Sequence, residues 1–335
     1  MRRRWLAWAV MLTVTSGCDN VAWGGVDVHL EPPEPKPTPV SRVDVAGGAP
    51  EDTLPLPDLP EGPLLLAGLR EGSSATLVVV GEIQPDSLAG LPTEEERPRL
   101  RERIRRDVLA PGSEFILFSD GTRVGRLVAS ETGLDERFCP PRPTVTGTVE
   151  LVPAASDARR LLALPAEVAG ERPYGPYDGV GDAIDADAVS LQVGATAIAN
   201  ASVPWPPSLV ESRADLQTFG REGDGVEPAV AATFLFADSL GVGPPDAGNA
   251  YALFVVGVPR ASGYREGFTW YRRVDAEGKG APRYFGRLDW DGDGRSELLL
   301  DVFGEEHRWF AALSPTGDGW TRSFQDRCSP GSPGG

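Results

Sequence analysis

Phe285-Gly286-Arg287-Leu288 is followed by Asp289-Trp290-Asp291-Gly292-Asp293-Gly294-Arg295-Ser296, and then by Glu297-Leu298-Leu299-Leu300. An apolar run enters an acidic, glycine-bearing loop and a second apolar run leaves it, the pattern of two strands joined by a turn. The same reading extends to either side. Residues 230–237, 251–258, 268–274, 283–288, 297–302 and 309–313 are apolar or β-branched segments with Gly, Asp and Pro between them. Their spacing of about 10–18 residues predicts an antiparallel β meander.

Upstream, Thr76-Leu77-Val78-Val79-Val80 reads as a buried strand. Residues 114–118 and 124–128 flank Asp120-Gly121, a pair that tolerates the positive φ of a tight hairpin turn. Residues 144–152 supply another strand. Leu100, Ile104 and Val108 recur every fourth residue and predict a helix. Its arginines alternate with glutamates, as on a solvated face. Ser208-Leu209-Val210-Glu211 fits a capping box and Gly220 a stop, so residues 208–219 are expected to be a second helix.

The expected fold class is therefore mainly β, a β-rich α+β arrangement. It comprises two small antiparallel β domains with one or two short helices, joined by a disulfide. The expected divisions are a signal peptide over 1–17, a lipidated N-terminus and tether over 18–62, and β-rich domains over 63–172 and 173–328. Residues 329–335 form a disordered Gly/Pro/Ser tail. The tether follows from ten prolines between Glu31 and Pro63, which favour extended polyproline II and cannot join a sheet.

The acidic loop carries the chemistry. Calcium takes six to eight oxygen ligands, and alternating carboxylates on a curled loop deliver them. Asp289, Asp291 and Asp293 stand at loop positions one, three and five. The Arg295 carbonyl would serve position seven, and Glu297 position nine, directly or through water. The expected cofactor is a structural Ca2+. Position twelve, a glutamate in an EF-hand, is Leu300. The segment 285–300 more closely resembles the calcium loops of FG-GAP and VCBS-type repeats. That resemblance implies a loop between two β-strands of a kind common in extracellular adhesion and recognition proteins. No clear second copy accompanies it, so a propeller is not expected. The acidic stretch 178–187 has different spacing and reads as a solvated turn or a second, weaker cation site.

The N-terminus reads as an export signal. Arg2, Arg3 and Arg4 precede a short apolar stretch over 5–14, too short to span a bilayer. Val14-Thr15-Ser16-Gly17-Cys18 then resembles the lipobox of bacterial lipoproteins, although Thr15 replaces the usual aliphatic residue. The resemblance implies diacylglycerol on Cys18 and a chain held at a membrane, facing the periplasm or cell exterior. Ordinary signal cleavage would also export it. With Cys18 lipidated, Cys139 and Cys328 remain as the natural disulfide pair. Such a long closed loop stabilises by about 5 kcal/mol on chain entropy.

Composition narrows the partners. Residues 1–17 hold three of the 32 basic residues and none of the 49 acidic ones, so their removal leaves a net charge of −20. So acidic a chain repels nucleic acid. No nucleophile elbow, zinc-binding helix or phosphate loop occurs, and His29 and His307 are the two histidines. The expectation is a calcium-stabilised binding or scaffold module for a protein or glycan ligand. The alternative is a cell-envelope hydrolase acting on glycan or peptide through a carboxylate pair.

Overall fold

In Leu64-Leu65-Leu66-Ala67 every side chain is buried, so the strand they begin must be covered on both faces. A computed structural model shows how. It describes residues 56–326 except 86, 171, 173, 175–176, 178–183, 222–226, 276–277 and 318. Six antiparallel strands close into a ring: β1 (Leu64–Glu71), β2 (Ser74–Gln84), β4 (Glu114–Ser119), β5 (Thr122–Asp135), β6 (Arg142–Leu151) and β7 (Arg160–Pro165). Around the ring the order is β1-β7-β4-β5-β6-β2, and β2 pairs back onto β1. The short β3 (Ser87–Ala89) extends β2. Leu66, Leu77, Phe115, Leu127, Val145 and Leu161 fill the interior. Helix α1 (Leu100–Asp107) adds Leu100 and Ile104 to the same cluster, and the single turn α2 (Ala166–Ala169) follows β7.

Alternate residues of the same strands point outward and are buried too. Leu65, Val80, Ile116 and Leu162 pack against Phe285, Leu299, Phe310 and Ala312. These belong to a second sheet, β12 (Ala281–Leu288), β13 (Glu297–Phe303), β14 (Arg308–Thr316) and β15 (Gly319–Gln325), a four-strand meander in chain order. Its other face, through Leu298, Leu300, Ala311 and Leu313, meets Phe219, Ala231, Phe254 and Val256. Those lie on a third sheet, ordered β11-β10-β9-β8 and built from β8 (Arg213–Phe219), β9 (Ala229–Phe236), β10 (Tyr251–Arg260) and β11 (Gly263–Arg273). Behind it a helix brings Val193, Ala197 and Ile198 onto Phe234, Leu253 and Val255. Barrel, sheet, sheet and helix are thus successive layers. All described residues belong to one compact unit, Leu54–Gly335.

The Asp120-Gly121 hairpin stands as the sequence reading has it, while the expected meander divides between two sheets, β9–β11 in one and β12–β14 in the other. Two segments differ. The helix expected over 208–219 is only α4 (Leu209–Ser212), with Ser208 Oγ accepting the Glu211 N–H at 3.3 Å. From Arg213 the chain turns into β8, because β9 needs a backbone partner on that edge and Phe219 is drawn into the core. Conversely, α3 (Ala186–Ala201) occupies a stretch for which the sequence reading gave no element. Asp185 caps it by accepting the Ala188 N–H, and Gly194 lets it approach the Phe234 ring, which a Cβ would meet at 2.6 Å. No described helix is long and apolar enough to cross a membrane. The signal segment, Cys18, most of the tether, Cys328 and the tail lie outside the described residues.

One buried ion pair joins the barrel to the second sheet, and another lies within that sheet. Arg142, on β6, is fully buried and bonded to Asp326, whose other oxygen accepts the Phe310 N–H at 2.8 Å. On β13, Asp301 is clasped by Arg283 at 2.8 Å and Arg308 at 2.7 Å. Removing one partner strands a buried charge. Asp326→Ala should therefore cost about 3–5 kcal/mol in urea denaturation, whereas Glu150→Ala, in an exposed pair with Arg126, should leave the transition nearly unchanged.

Candidate metal centre

The β12–β13 connection folds onto itself through its own carboxylates. Asp289 Oδ1 accepts the Gly292 N–H at 2.7 Å and Oδ2 the Gly294 N–H at 3.0 Å. Asp291 Oδ1 accepts the Asp293 N–H at 3.1 Å, and Asp293 Oδ1 the Arg295 N–H at 2.7 Å. Gly292 and Gly294 adopt φ of 84° and 86°, the left-handed region where a side chain would be strained. The curl follows from the Asp–x–Asp–Gly–Asp–Gly order, since each aspartate captures an amide two to five residues ahead.

Of the five residues expected as ligands, three converge. Single carboxylate oxygens of Asp289, Asp291 and Glu297 all lie within 4.8 Å of one another. Asp293 is exposed and its carboxylate is outside that group, and Arg295, expected to serve through its carbonyl, has an exposed side chain. Glu297 differs from the aspartates in being buried, at 3% exposure. It opens β13 and, by strand alternation, shares the face of Leu299 that is pressed against the barrel. Its Oε2 accepts the Trp290 N–H at 3.3 Å, and no arginine or lysine among the described residues pairs with it. Burial, then the neighbouring Asp291 charge, pushes its carboxyl up to about 8.

The loop is anchored at both ends. Trp290 is buried in the core shared with the barrel. Arg172, just after the barrel, donates to the Asp289 carbonyl. Arg287 donates to Asp120 Oδ1 at 2.8 Å and to Ser296 Oγ at 3.1 Å, while its carbonyl accepts the Gly121 N–H at 3.0 Å. The hairpin turn of the barrel thereby clamps the start of the acidic loop. The sequence marked Asp120 only as a turn residue, and nothing in it signals a bond to a residue 167 positions away.

The donor set is all oxygen. Three carboxylates around one point, one of them buried without a basic partner, suit a hard divalent cation and supply none of the thiolate or imidazole that zinc sites favour. Asp185 and Asp187, from the other acidic stretch, serve structure: Asp185 caps α3 and Asp187 pairs with Arg213. Positions 178–183 of that stretch lie outside the described residues. His307 is exposed in the β13–β14 turn.

No protein-family model matches the chain, and no curated protein or solved structure matches it.

A pH dependence follows from Glu297. A carboxyl raised from 4.5 to about 8 holds its proton more tightly when folded. The stabilisation is therefore complete below the unfolded value and is lost as pH rises through the folded one. In chelator-treated protein the melting temperature should fall between pH 4.5 and pH 8, and Glu297→Gln should flatten that slope.

Proposed function

We propose that this chain is a membrane-tethered, extracytoplasmic binding module whose β12–β13 loop is locked by a calcium ion. The carrying observation is the buried Glu297 carboxylate facing Asp289 and Asp291 without a basic partner among the described residues. A cation there neutralises three acids at once and ties the loop to the strand it precedes. Asp289, Asp291 and Glu297 would hold it, with loop carbonyls and water completing an oxygen shell. Calcium is favoured over magnesium because a glycine-bearing surface loop suits variable coordination better than strict octahedral geometry. The local resemblance to FG-GAP and VCBS-type loops supports the same ion and an extracellular setting. The ion is structural, since its loop packs against the barrel rather than lining the cleft that includes Gly286.

Export and lipidation are proposed from residues 2–18, with Cys18 as the anchor. A Cys139–Cys328 disulfide is supported from the folded side. Asp326, two residues before Cys328, hydrogen-bonds both backbone groups of Phe310. Phe310 stacks on Phe138 with centroids 4.9 Å apart, and the Cys139 N–H donates to the Arg308 carbonyl at 3.1 Å. The described chain thus ends at Asp326, two residues short of Cys328, against the strand whose Arg308 carbonyl accepts the Cys139 N–H, and this is what supports the pairing. A binding role is preferred to hydrolysis because Asp120, one of two acids lining that cleft among the described residues, has both oxygens committed, to Arg287 and to the Gly220 N–H.

Calcium should raise the melting temperature of chelator-treated protein, by about 2.7 kcal/mol of stability at one hundred times its dissociation constant. Asp291→Ala should remove that gain, and an unchanged curve in the parent protein would refute the site. Mass spectrometry of the mature protein should show a diacylglyceryl-modified Cys18 as the first residue. Thiol titration of the unfolded, unreduced chain should find no free thiol. An unmodified Cys18 or two free thiols would refute the corresponding assignment.

A further inference from the structure

Of the chain's 32 basic residues all but Lys36 and Lys279 are arginine, and Lys36 falls in the tether. Lys279 stands between β11 and β12 and is 1% exposed. Its Nζ lies 2.6 Å from Oδ1 of Asp238, which follows β9, and both side chains are fully shielded from solvent. We propose that these two side chains condense to an intramolecular amide that fastens the third sheet to the second.

Each polar atom of the pair has a place in that amide. Asp238 Oδ1 accepts the Ser239 N–H at 2.7 Å and would remain as the amide oxygen. Lys279 Nζ donates to the Gly241 carbonyl at 3.0 Å, a bond the amide N–H would keep. Asp238 Oδ2 is buried and has no hydrogen-bond partner among the described residues. It is the atom that condensation removes. The buried aspartates Asp301 and Asp326 differ on both counts. They use both oxygens, and the cations they meet are arginines. A guanidinium stays protonated and cannot attack a carboxyl, whereas a lysine amine can.

The step balances without a further reagent. The ammonium passes one proton to the carboxylate it touches, and the freed amine lone pair attacks Cγ. The Cγ–Oδ2 bond then breaks, and Oδ2 leaves as water with that proton and a second one from Nζ. One N–H remains on the new amide. The fold supplies what such a step needs, which is reactants held in contact. Ala237, immediately before Asp238, adopts φ of 50°, a left-handed conformation uncommon outside glycine, where the chain turns to bring the carboxylate inside. Leu235, Leu240 and Ala281, neighbours of the pair in the chain, join Ala252 and Phe303 in one apolar cluster. Two charges are expensive to keep in such surroundings, and a neutral amide removes both.

The test is mass spectrometry of the full mature protein, intact after reduction and again after unfolding and digestion with trypsin. Residues 222–260 and 274–283 should appear as one branched peptide, lighter than their sum by one water and uncut after Lys279. Intact, the parent should be one water lighter than Lys279→Arg once the substitution itself is allowed for. That variant keeps the positive charge and cannot form the bond. Asp238→Ala should restore cutting after Lys279. Linear peptides ending at Lys279 in the parent would overturn the proposal, as would an equal water loss in Lys279→Arg. A cyclic imide at an Asp-Gly step would also lower the intact mass by one water, but it leaves Lys279 open to trypsin and so counts against the amide.

Discussion

Strand β13 has apolar side chains buried on both of its faces, and the architecture is arranged around that requirement. Leu299 is covered by the barrel, while Leu298 and Leu300 are covered by the third sheet. Burying such leucines is worth about 1.5–3 kcal/mol each, and it is possible only if two other layers close over the strand. The barrel supplies one cover with its outward residues and the β8–β11 sheet the other. That second cover must itself be shielded behind, which is the place of α3. A strand in the middle of such a stack has no solvent-facing side for polar residues. Those it carries are paired, as Asp301 is by Arg283 and Arg308.

Glu297 is the exception, and the candidate site follows from it. The residue stands where the surface loop enters the buried strand, so its carboxylate is drawn under the loop. Among the described residues only backbone N–H groups partner it there, where Asp301 has two guanidiniums. The aspartates of the loop approach from the solvent side and add negative charge. A divalent ion would resolve both problems together. Arg172 and Arg287 hold the loop and its neighbour through backbone, hydroxyl and Asp120 groups, leaving the three carboxylates to converge.

Much of this was legible in the residues. The strands of the second half were readable because each is a run of apolar side chains broken by Gly, Asp or Pro. Leu298-Leu299-Leu300 announced two-sided burial by its lack of alternation. The loop was legible because regular Asp and Gly spacing has few other physical uses. Residues 213–219 were misread because a capping signal fixes where a helix begins but not how long it lasts. The unpaired edge of β9 outweighed it. Helix α3 was missed because its alanine-rich sequence has little apolar contrast, although Asp185 was present as a cap. The closure of the barrel, the Arg142–Asp326 pair and the Asp120–Arg287 clamp join residues far apart in the chain. No local pattern encodes them.

Terbium luminescence tests the central claim most directly, because Trp290 lies between two of the converging aspartates and would sensitise an ion held by them. Titrated into chelator-treated protein and excited through tryptophan, terbium should give emission that saturates at one ion per chain. Calcium should displace it, and Trp290→Phe should abolish most of it. Emission that fails to appear, or that persists undiminished in Asp291→Ala, would contradict a cation centre at the start of β13.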